Sequence, residues 1–133
     1  MARVAKYCVM LTYEPSSSAS WLTSDYFPEI AVHDRAIFSP AESYRNIFTR
    51  VEIRAVPIPH DCSDGFLEAY WRRPETYFDP GARSAISSFA RFDAGSGLAQ
   101  LRRDLDDGTW LSRHGHLLEK TELDLGYRLV IAS

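Results

Sequence analysis

The chain has 133 residues, of which 45% are hydrophobic and 25% charged, a composition typical of one globular domain rather than a disordered segment. Its 15 basic and 18 acidic residues give a net charge of −3, so no general attraction to nucleic acid or anionic membranes is expected. No apolar run reaches the ~20 residues of a membrane span, and we expect no secretory signal at the start. Two cysteines cannot build a disulfide framework. We therefore expect a cytoplasmic protein.

The first predicted element is a strand at residues 7–13, a nearly continuous apolar run followed by turn residues. An apolar run without alternation favours a strand buried on both faces of an α/β sheet. Residues 21–50 then carry helical spacing with interruptions. Within them, Ser39 followed by Pro40 predicts the capped start of a helix.

The middle of the chain predicts a second strand and another helix. Residues 51–56 alternate apolar and polar side chains, which indicates a strand with one solvent-exposed face. After a polar loop, Asp64 is placed to cap a helix that Pro74 would end. The apolar face of that helix would consist of Phe66, Leu67, Tyr70 and Trp71.

The last third predicts two more helices and a final strand. Asp79 and Pro80 form a cap followed by proline at the first helical position, ahead of an apolar stripe of Ala82, Ile86 and Phe89. Ser96 is predicted to cap the next helix, and Gly108 to follow its end. Residues 127–132 predict a strand. The order of strand, helices, strand, helices, strand is an α/β pattern.

Few residue clusters suggest chemistry by themselves. His60, Cys62, His114 and His116 could supply four zinc ligands, but their spacing matches no common zinc finger, so no metal site is predicted. His60 beside Cys62 could be a base next to a thiol, although sequence neighbours rarely have that geometry. Residues 95–97, Gly-Ser-Gly, lack the preceding strand and third glycine of a dinucleotide fingerprint.

Longer motifs carry a family resemblance across nearly the whole chain. Residues 61–75 read DCSDGFLEAYWRRPE and residues 123–130 read LDLGYRLV. These segments resemble a bacterial group of class I S-adenosylmethionine-dependent methyltransferases. The remaining segments that resemble this group are residues 21–28, 77–80, 86–90, 101–105, 108–110 and 113–115.

The resemblance implies a Rossmann-like α/β fold, a seven-stranded sheet of order 3-2-1-4-5-7-6 with an antiparallel seventh strand. The predicted strands at residues 7–13, 51–56 and 127–132 would be its fifth, sixth and seventh, so the last strand would be central and antiparallel. Residues 1–133 would be a single domain forming the C-terminal part of the fold. Residues 16–50 would be a helical insertion that covers the substrate like a lid.

The resemblance also implies S-adenosylmethionine as cofactor, yet this sequence departs from the family where that cofactor binds. The family holds it at a glycine-rich turn after its first strand, with an acid ending the second. No strand followed by Gly-x-Gly occurs here, so we expect no cofactor binding by this chain alone and no activity alone. The expected function is that of a methyltransferase without its N-terminal, cofactor-binding half.

A strand without its neighbour invites pairing with another chain. We therefore expect a homodimer or a complex with a separately encoded N-terminal half, through the strand from Tyr7 to Tyr13. A small molecule is the expected substrate, and no catalytic base is assigned. The predicted substrate-binding residues are Trp21, Asp25, Tyr26, His60, Asp61, Tyr70 and Trp71. The alternatives are a non-enzymatic module that binds a ligand or partner, and a gene fragment without an independent role.

Overall fold

A computed structural model describes residues 5–133, which form two compact units. The sheet unit consists of residues 5–19, His33–Pro57 and Asp124–Ser133, and the helical unit of Ser20–Val32 and Ile58–Leu123. The strands are β1 Cys8–Tyr13, β2 Val51–Ala55, β3 Ile58–Pro59, β4 Glu122–Leu123 and β5 Tyr127–Ala132. The α-helices are α1 Pro28–Ile37, α2 Pro80–Ser84, α3 Ser87–Arg91, α4 Gly95–Asp106 and α5 Thr109–His114.

Shorter helical turns connect these elements. A π-helical turn covers Leu22–Tyr26, and 3₁₀ turns cover Pro15–Ser17, Ala41–Asn46, Pro74–Phe78 and Gly115–Glu119. Within residues 5–133, no helix has the length and apolar character needed to cross a bilayer.

The sheet unit is built on three strands in the order β1-β5-β2, and both pairs are antiparallel. The strands lie where the apolar patterns predict them, with β1 beginning one residue later and β2 ending one residue earlier. The last strand is central and antiparallel, as predicted. Strands β3 and β4 form a separate antiparallel pair in the helical unit.

One face of this sheet is accessible and carries apolar side chains on β1 and β5 and a charged pair on β2; we call it the outer sheet face. The register places Val9 opposite Ile131 and Leu11 opposite Leu129, with Glu52 and Arg54 of β2 completing the two rows. Val9 and Leu11 are 64% and 66% exposed. The prediction that the first strand is buried on both faces is therefore wrong for the described residues, because successive side chains point to opposite faces and only one face is covered.

A tight turn joins β5 to the end of β1. Gly126 has φ of +90°, and its carbonyl accepts a hydrogen bond from the Glu14 amide at 2.7 Å. The Arg128 guanidinium donates to both carboxylate oxygens of Asp124 and lies 3.5 Å from Glu14. The Glu14 carboxylate also accepts from Ser17 Oγ at 2.8 Å and from the Ala41 amide at 3.0 Å. One carboxylate therefore ties three parts of the sheet unit together.

This arrangement predicts an acid-sensitive contribution to stability. The Ser17 hydroxyl, the Ala41 amide and the Arg128 charge hold the pKa of Glu14 below its usual value. Because the folded-state pKa is lowered, the contribution is present above the unfolded-state pKa and is lost as pH falls through the folded-state value. Glu14→Gln should therefore lower the free energy of unfolding near neutral pH. This effect should diminish as pH falls below the ordinary glutamate pKa of ~4.3 and disappear below the folded-state pKa.

Urea unfolding near neutral pH, and again below the folded-state pKa of Glu14, measures this difference. Glu52→Gln is the control, since Glu52 pairs with Arg54 on the exposed sheet face and such pairs contribute little. An equal loss of stability for Glu14→Gln at both pH values would contradict the prediction.

The predicted helix starts in the helical unit are confirmed in one case and wrong in another. Asp79 Oδ1 accepts from the Gly81 amide at 2.8 Å and caps α2, as predicted. Helix α4 begins at Gly95 without a side-chain cap on its N-cap residue. Instead, Asp93 Oδ1 accepts from the Gly95 amide at 2.9 Å, so Ser96 does not cap this helix. Gly108 has φ of +83° and follows the end of α4, as predicted.

The predicted helix after Asp64 is absent, and residues 67–72 form turns. Two carbonyl groups that a helix would use accept hydrogen bonds from side chains instead. Tyr77 Oη donates to the Leu67 carbonyl at 2.7 Å, and Trp21 Nε1 donates to the Trp71 carbonyl at 2.8 Å. Tertiary contacts therefore override the helical spacing of the apolar residues.

The predicted cap at Ser39 is also wrong. The segment Ala41–Asn46 is a 3₁₀ turn that Pro40 precedes, and no side chain of its N-cap residue bonds to it. Its first amide, at Ala41, is satisfied by Glu14 from a distant part of the chain. A residue 27 positions away thus takes the role assigned to the neighbouring serine.

Candidate functional site

A cluster of aromatic rings forms the centre of the helical unit. The Trp21 ring lies edge-to-face against Tyr26, Tyr77 and Trp110, with ring centroids 5.8, 6.0 and 5.4 Å apart. Such geometry is the preferred one for aromatic pairs. All four residues are buried, with at most 5% of their surface exposed. The cluster is therefore core, and it gives its members fixed orientations.

Hydrogen bonds from two indoles fix the orientation of Trp21. Trp21 Nε1 donates to the Trp71 carbonyl at 2.8 Å, and Trp71 Nε1 donates to the Ile58 carbonyl at 3.1 Å. Because a buried indole N–H needs an acceptor, each bond selects one ring orientation.

Tyr26 is held by a buried carboxyl group of α4. Its hydroxyl donates to Asp104 Oδ2 at 2.7 Å, and the side-chain amide of Gln100 donates to the other oxygen at 2.6 Å. Burial and the neighbouring Asp104 raise the pKa of Tyr26 far above its ordinary value. Tyr26 thus stays neutral and acts as a hydrogen-bond donor within the core.

Residue 97 must be glycine for α4 to approach the Leu22–Tyr26 turn this closely. A Cβ atom on Gly97 would lie 2.3 Å from Phe27 Cε1 and 2.5 Å from the Tyr26 carbonyl oxygen. Residues 95–97 are therefore the first turn of α4, and Gly97 is where this helix contacts the Leu22–Tyr26 segment.

At the edge of the aromatic cluster lies a carboxylate–imidazole pair. His114 Nε2 is 2.8 Å from Asp25 Oδ2, and Arg113 Nη1 is 3.9 Å from the same oxygen. Ser24 Oγ donates to Asp25 Oδ1 at 2.9 Å. About 16% of the His114 side chain and 25% of the Asp25 side chain are accessible to solvent. This pair is thus an accessible titratable group beside a buried core.

Two indoles, themselves in contact with each other, pack against the His114 ring. Its centroid lies 5.9 Å from that of Trp21, with the planes tilted by 33°, and 5.8 Å from that of Trp110. His114 is the last residue of α5, which begins directly after Gly108 at the end of α4. The left-handed conformation of Gly108 turns the chain between the two helices.

The predicted substrate-binding residues divide into two groups. Contacts made directly or through Tyr77 and His114 connect five of them in the helical unit: Trp21, Asp25, Tyr26, Tyr70 and Trp71. Asp25 is the accessible member, since the four aromatic residues are at most 9% exposed. His60 bonds to Thr121 through its backbone amide, and no described side-chain interaction connects His60 or Asp61 to the cluster. Their role in substrate binding stays a prediction.

His114 was not predicted as a partner of Asp25, because 89 positions separate the two residues. Its possible role as a zinc ligand with His60, Cys62 and His116 did not lead to a predicted metal site. Within residues 5–133, no group of three or more His, Cys, Asp or Glu side chains is arranged to hold a metal ion. The usable signal was the Arg-His-Gly sequence at residues 113–115, one of the segments that carry the family resemblance.

This α/β structure was compared with protein-family models, curated proteins and solved structures, and one of the three comparisons found a match. No protein-family model matches the chain, and no curated protein matches it. A crystal structure at 2.40 Å resolution does match: a provisionally assigned methyltransferase from an antibiotic biosynthesis pathway of Anabaena variabilis ATCC 29413. The identity is 35% and the TM-score 0.86, over 96% of this chain. The match spans 54% of that protein, so this chain corresponds to about half its length.

The described residues do not fit S-adenosylmethionine. A nucleotide cofactor of this kind is held at a glycine-rich turn between a parallel strand and a helix N-terminus. Every strand pair within residues 5–133 is antiparallel. The two glycines with positive φ are Gly108, between two helices, and Gly126, before β5. No such turn is available in this part of the chain.

Proposed function

We propose that this chain is the substrate-side, C-terminal part of an S-adenosylmethionine-dependent methyltransferase of class I. The observation that supports this most strongly is the match to the methyltransferase of Anabaena variabilis, with 35% identity over 96% of this chain. The segments of family resemblance, which extend from residue 21 to residue 130, support the same function.

In this proposal the strands β1, β2 and β5 are the fifth, sixth and seventh strands of the seven-stranded sheet. The observed order β1-β5-β2, with β5 antiparallel to both neighbours, agrees with the 5-7-6 segment of the family order. Residues 16–50 supply the insertion next to the substrate. The residues that bind S-adenosylmethionine lie outside the 133 residues, either in another polypeptide or in a longer form of this one.

The edge of the sheet at β1, next to the outer sheet face, is evidence for a partner of this chain. Val9 and Leu11 belong to an edge strand, and among the described residues β1 pairs with β5 alone. An exposed apolar edge strand is a template for pairing with another segment. The occupant we propose is a polypeptide equivalent to the rest of the Anabaena methyltransferase, the part outside the 54% that this chain matches.

The test is co-expression with a polypeptide from the same genome whose sequence matches that remaining part. The two should co-purify in equal amounts, and titration calorimetry should detect S-adenosylmethionine binding by the complex but not by the 133-residue chain. Failure to co-purify would contradict the proposed partner. Binding of the cofactor by the isolated chain would overturn the location proposed for the cofactor site.

A matched pair of variants tests the surface. Val9→Lys should weaken co-purification at least tenfold, because it places a charge on the edge strand. Val32→Lys replaces the same residue type at 66% exposure in α1 and should not. A clean homodimer of the isolated chain in light scattering, disrupted by Val9→Lys, would instead favour a second copy as the occupant.

A further inference from the structure

We propose that His114 is a general base, oriented by Asp25, that accepts the proton of a hydroxyl group on the methyl acceptor. This proposal rests on the proposed function and assigns the chemical class of the substrate to one pair of side chains. The methyl acceptor is then a hydroxyl compound, and the product a methyl ether.

The geometry determines which imidazole nitrogen is the base. A carboxylate can only accept hydrogen bonds, so the 2.8 Å contact places a proton on His114 Nε2, donated to Asp25 Oδ2. In the neutral ring, Nδ1 then carries the lone pair. Among the described residues, Nδ1 has no hydrogen-bond partner. The nitrogen able to accept a proton is therefore the one that the protein leaves unbonded.

The surroundings hold this ring in one orientation before any ligand arrives. Trp21 and Trp110 both pack against it, and Trp21 is itself fixed by its bond to the Trp71 carbonyl. Asp25 is fixed in turn by Ser24 Oγ. A base that is already oriented pays no reorganisation cost at the moment of proton transfer.

Accessibility selects the same pair. Trp21, Tyr26, Trp71 and Trp110 are at most 5% exposed, so they cannot contact a ligand in this conformation. The His114 and Asp25 side chains are the titratable groups of the cluster that reach solvent. A ligand that approaches the cluster therefore contacts the pair of His114 and Asp25 before the buried rings.

The proton transfer can be written in full. The hydroxyl O–H bond breaks, its electron pair stays on oxygen, and a bond forms between the proton and His114 Nδ1. The resulting imidazolium is stabilised by the Asp25 carboxylate, in the manner of an Asp–His pair. The oxygen would then be the more nucleophilic group of the acceptor, and a methyl donor held by residues outside this chain would supply the methyl group and keep the electron pair of its C–S bond.

Local charge favours a hydroxyl over other acceptors. A carboxylate acceptor is already ionised near pH 7 and needs no base, whereas a neutral hydroxyl does. An ammonium group would need one too, but Arg113 lies 3.9 Å from Asp25 and offsets its charge.

The test uses nitrogen-15 NMR of the histidine side chains in the full 133-residue chain, with phenol as a hydroxyl probe. The spectrum should show His114 protonated at Nε2 with Nδ1 unprotonated. Phenol should shift the His114 Nδ1 resonance, and anisole, which has the same ring but no O–H proton, should not. An equal response to both, or no response to phenol, would overturn the proposal.

Two variants separate this role from a structural one. Binding of phenol to each variant is measured by saturation-transfer NMR, in which protein protons are irradiated and the phenol signal is followed. His114→Asn should abolish this transfer, while His116→Asn, at an exposed histidine two residues away, should leave it unchanged. Should His114→Asn fail to fold, Asp25→Asn serves instead, since it should allow the other tautomer to appear at His114. An unchanged tautomer in Asp25→Asn would contradict the proposal. None of these readouts needs the methyl donor, so they stand or fall separately from the proposed function.

Discussion

Replacement of Trp71 by alanine should lower the free energy of unfolding by about 3–5 kcal/mol, the usual range for a large aromatic residue removed from a core. Trp71 is 1% exposed, and its indole N–H donates to the Ile58 carbonyl at 3.1 Å. The substitution leaves both a cavity and a carbonyl group without this donor. Urea unfolding followed by circular dichroism measures the change.

A graded variant and a surface variant complete this experiment. Trp71→Phe keeps most of the ring but removes the donor, so it should cost about 1–3 kcal/mol. Leu111→Ala removes an apolar side chain that is 57% exposed, and it should change stability by less than ~0.5 kcal/mol. If Trp71→Ala unfolded at the same urea concentration as Leu111→Ala, the description of this core would be wrong.

Gly126→Ala should destabilise the sheet unit by about 3 kcal/mol, from two sources. The left-handed conformation at φ of +90° costs an alanine about 1–2 kcal/mol. A Cβ atom would also lie 2.6 Å from the Glu14 carbonyl oxygen, and such overpacking costs a further ~1–3 kcal/mol. The Glu14 backbone cannot move away without straining its own bond to the Gly126 carbonyl.

Gly108→Ala separates the two sources. Gly108 has nearly the same φ of +83°, but a Cβ atom there would meet nothing within 4 Å. This variant should therefore lose only the conformational part, about 1–2 kcal/mol. Equal losses for the two variants, measured by urea unfolding, would show that the close approach to Glu14 carries no energy.

The three strands of the sheet unit were predictable because their signal is local, whereas the two-residue strands β3 and β4 were not predicted. An apolar run at residues 7–13 and an alternating one at residues 51–56 fix the element type without reference to the rest of the chain. The helix starts were predicted less well, since Glu14 and Asp93 satisfy amides that the sequence assigned to Ser39 and Ser96. A short polar residue near a helix start is a candidate cap, but the fold determines which side-chain oxygen accepts hydrogen bonds from the first amides of the helix.

The helix predicted after Asp64 is absent for a similar reason. Its apolar spacing fits a helix, yet the carbonyls of Leu67 and Trp71 accept from Tyr77 and Trp21. In the candidate site, the sequence pointed to Asp25 but not to its partner His114. A dyad between distant residues leaves no trace in local spacing, so only the fold, or a comparison of related sequences, could reveal it.

The position of β5 determines when the sheet can assemble. Strands β1 and β2 each pair with β5 and not with one another. On a ribosome, both strands would emerge long before the residues that join them. Loop closure between distant segments is slow, so the nascent chain would carry both strands without β5 until residues 127–132 emerge. A chaperone that shields such strands should raise the yield of folded protein.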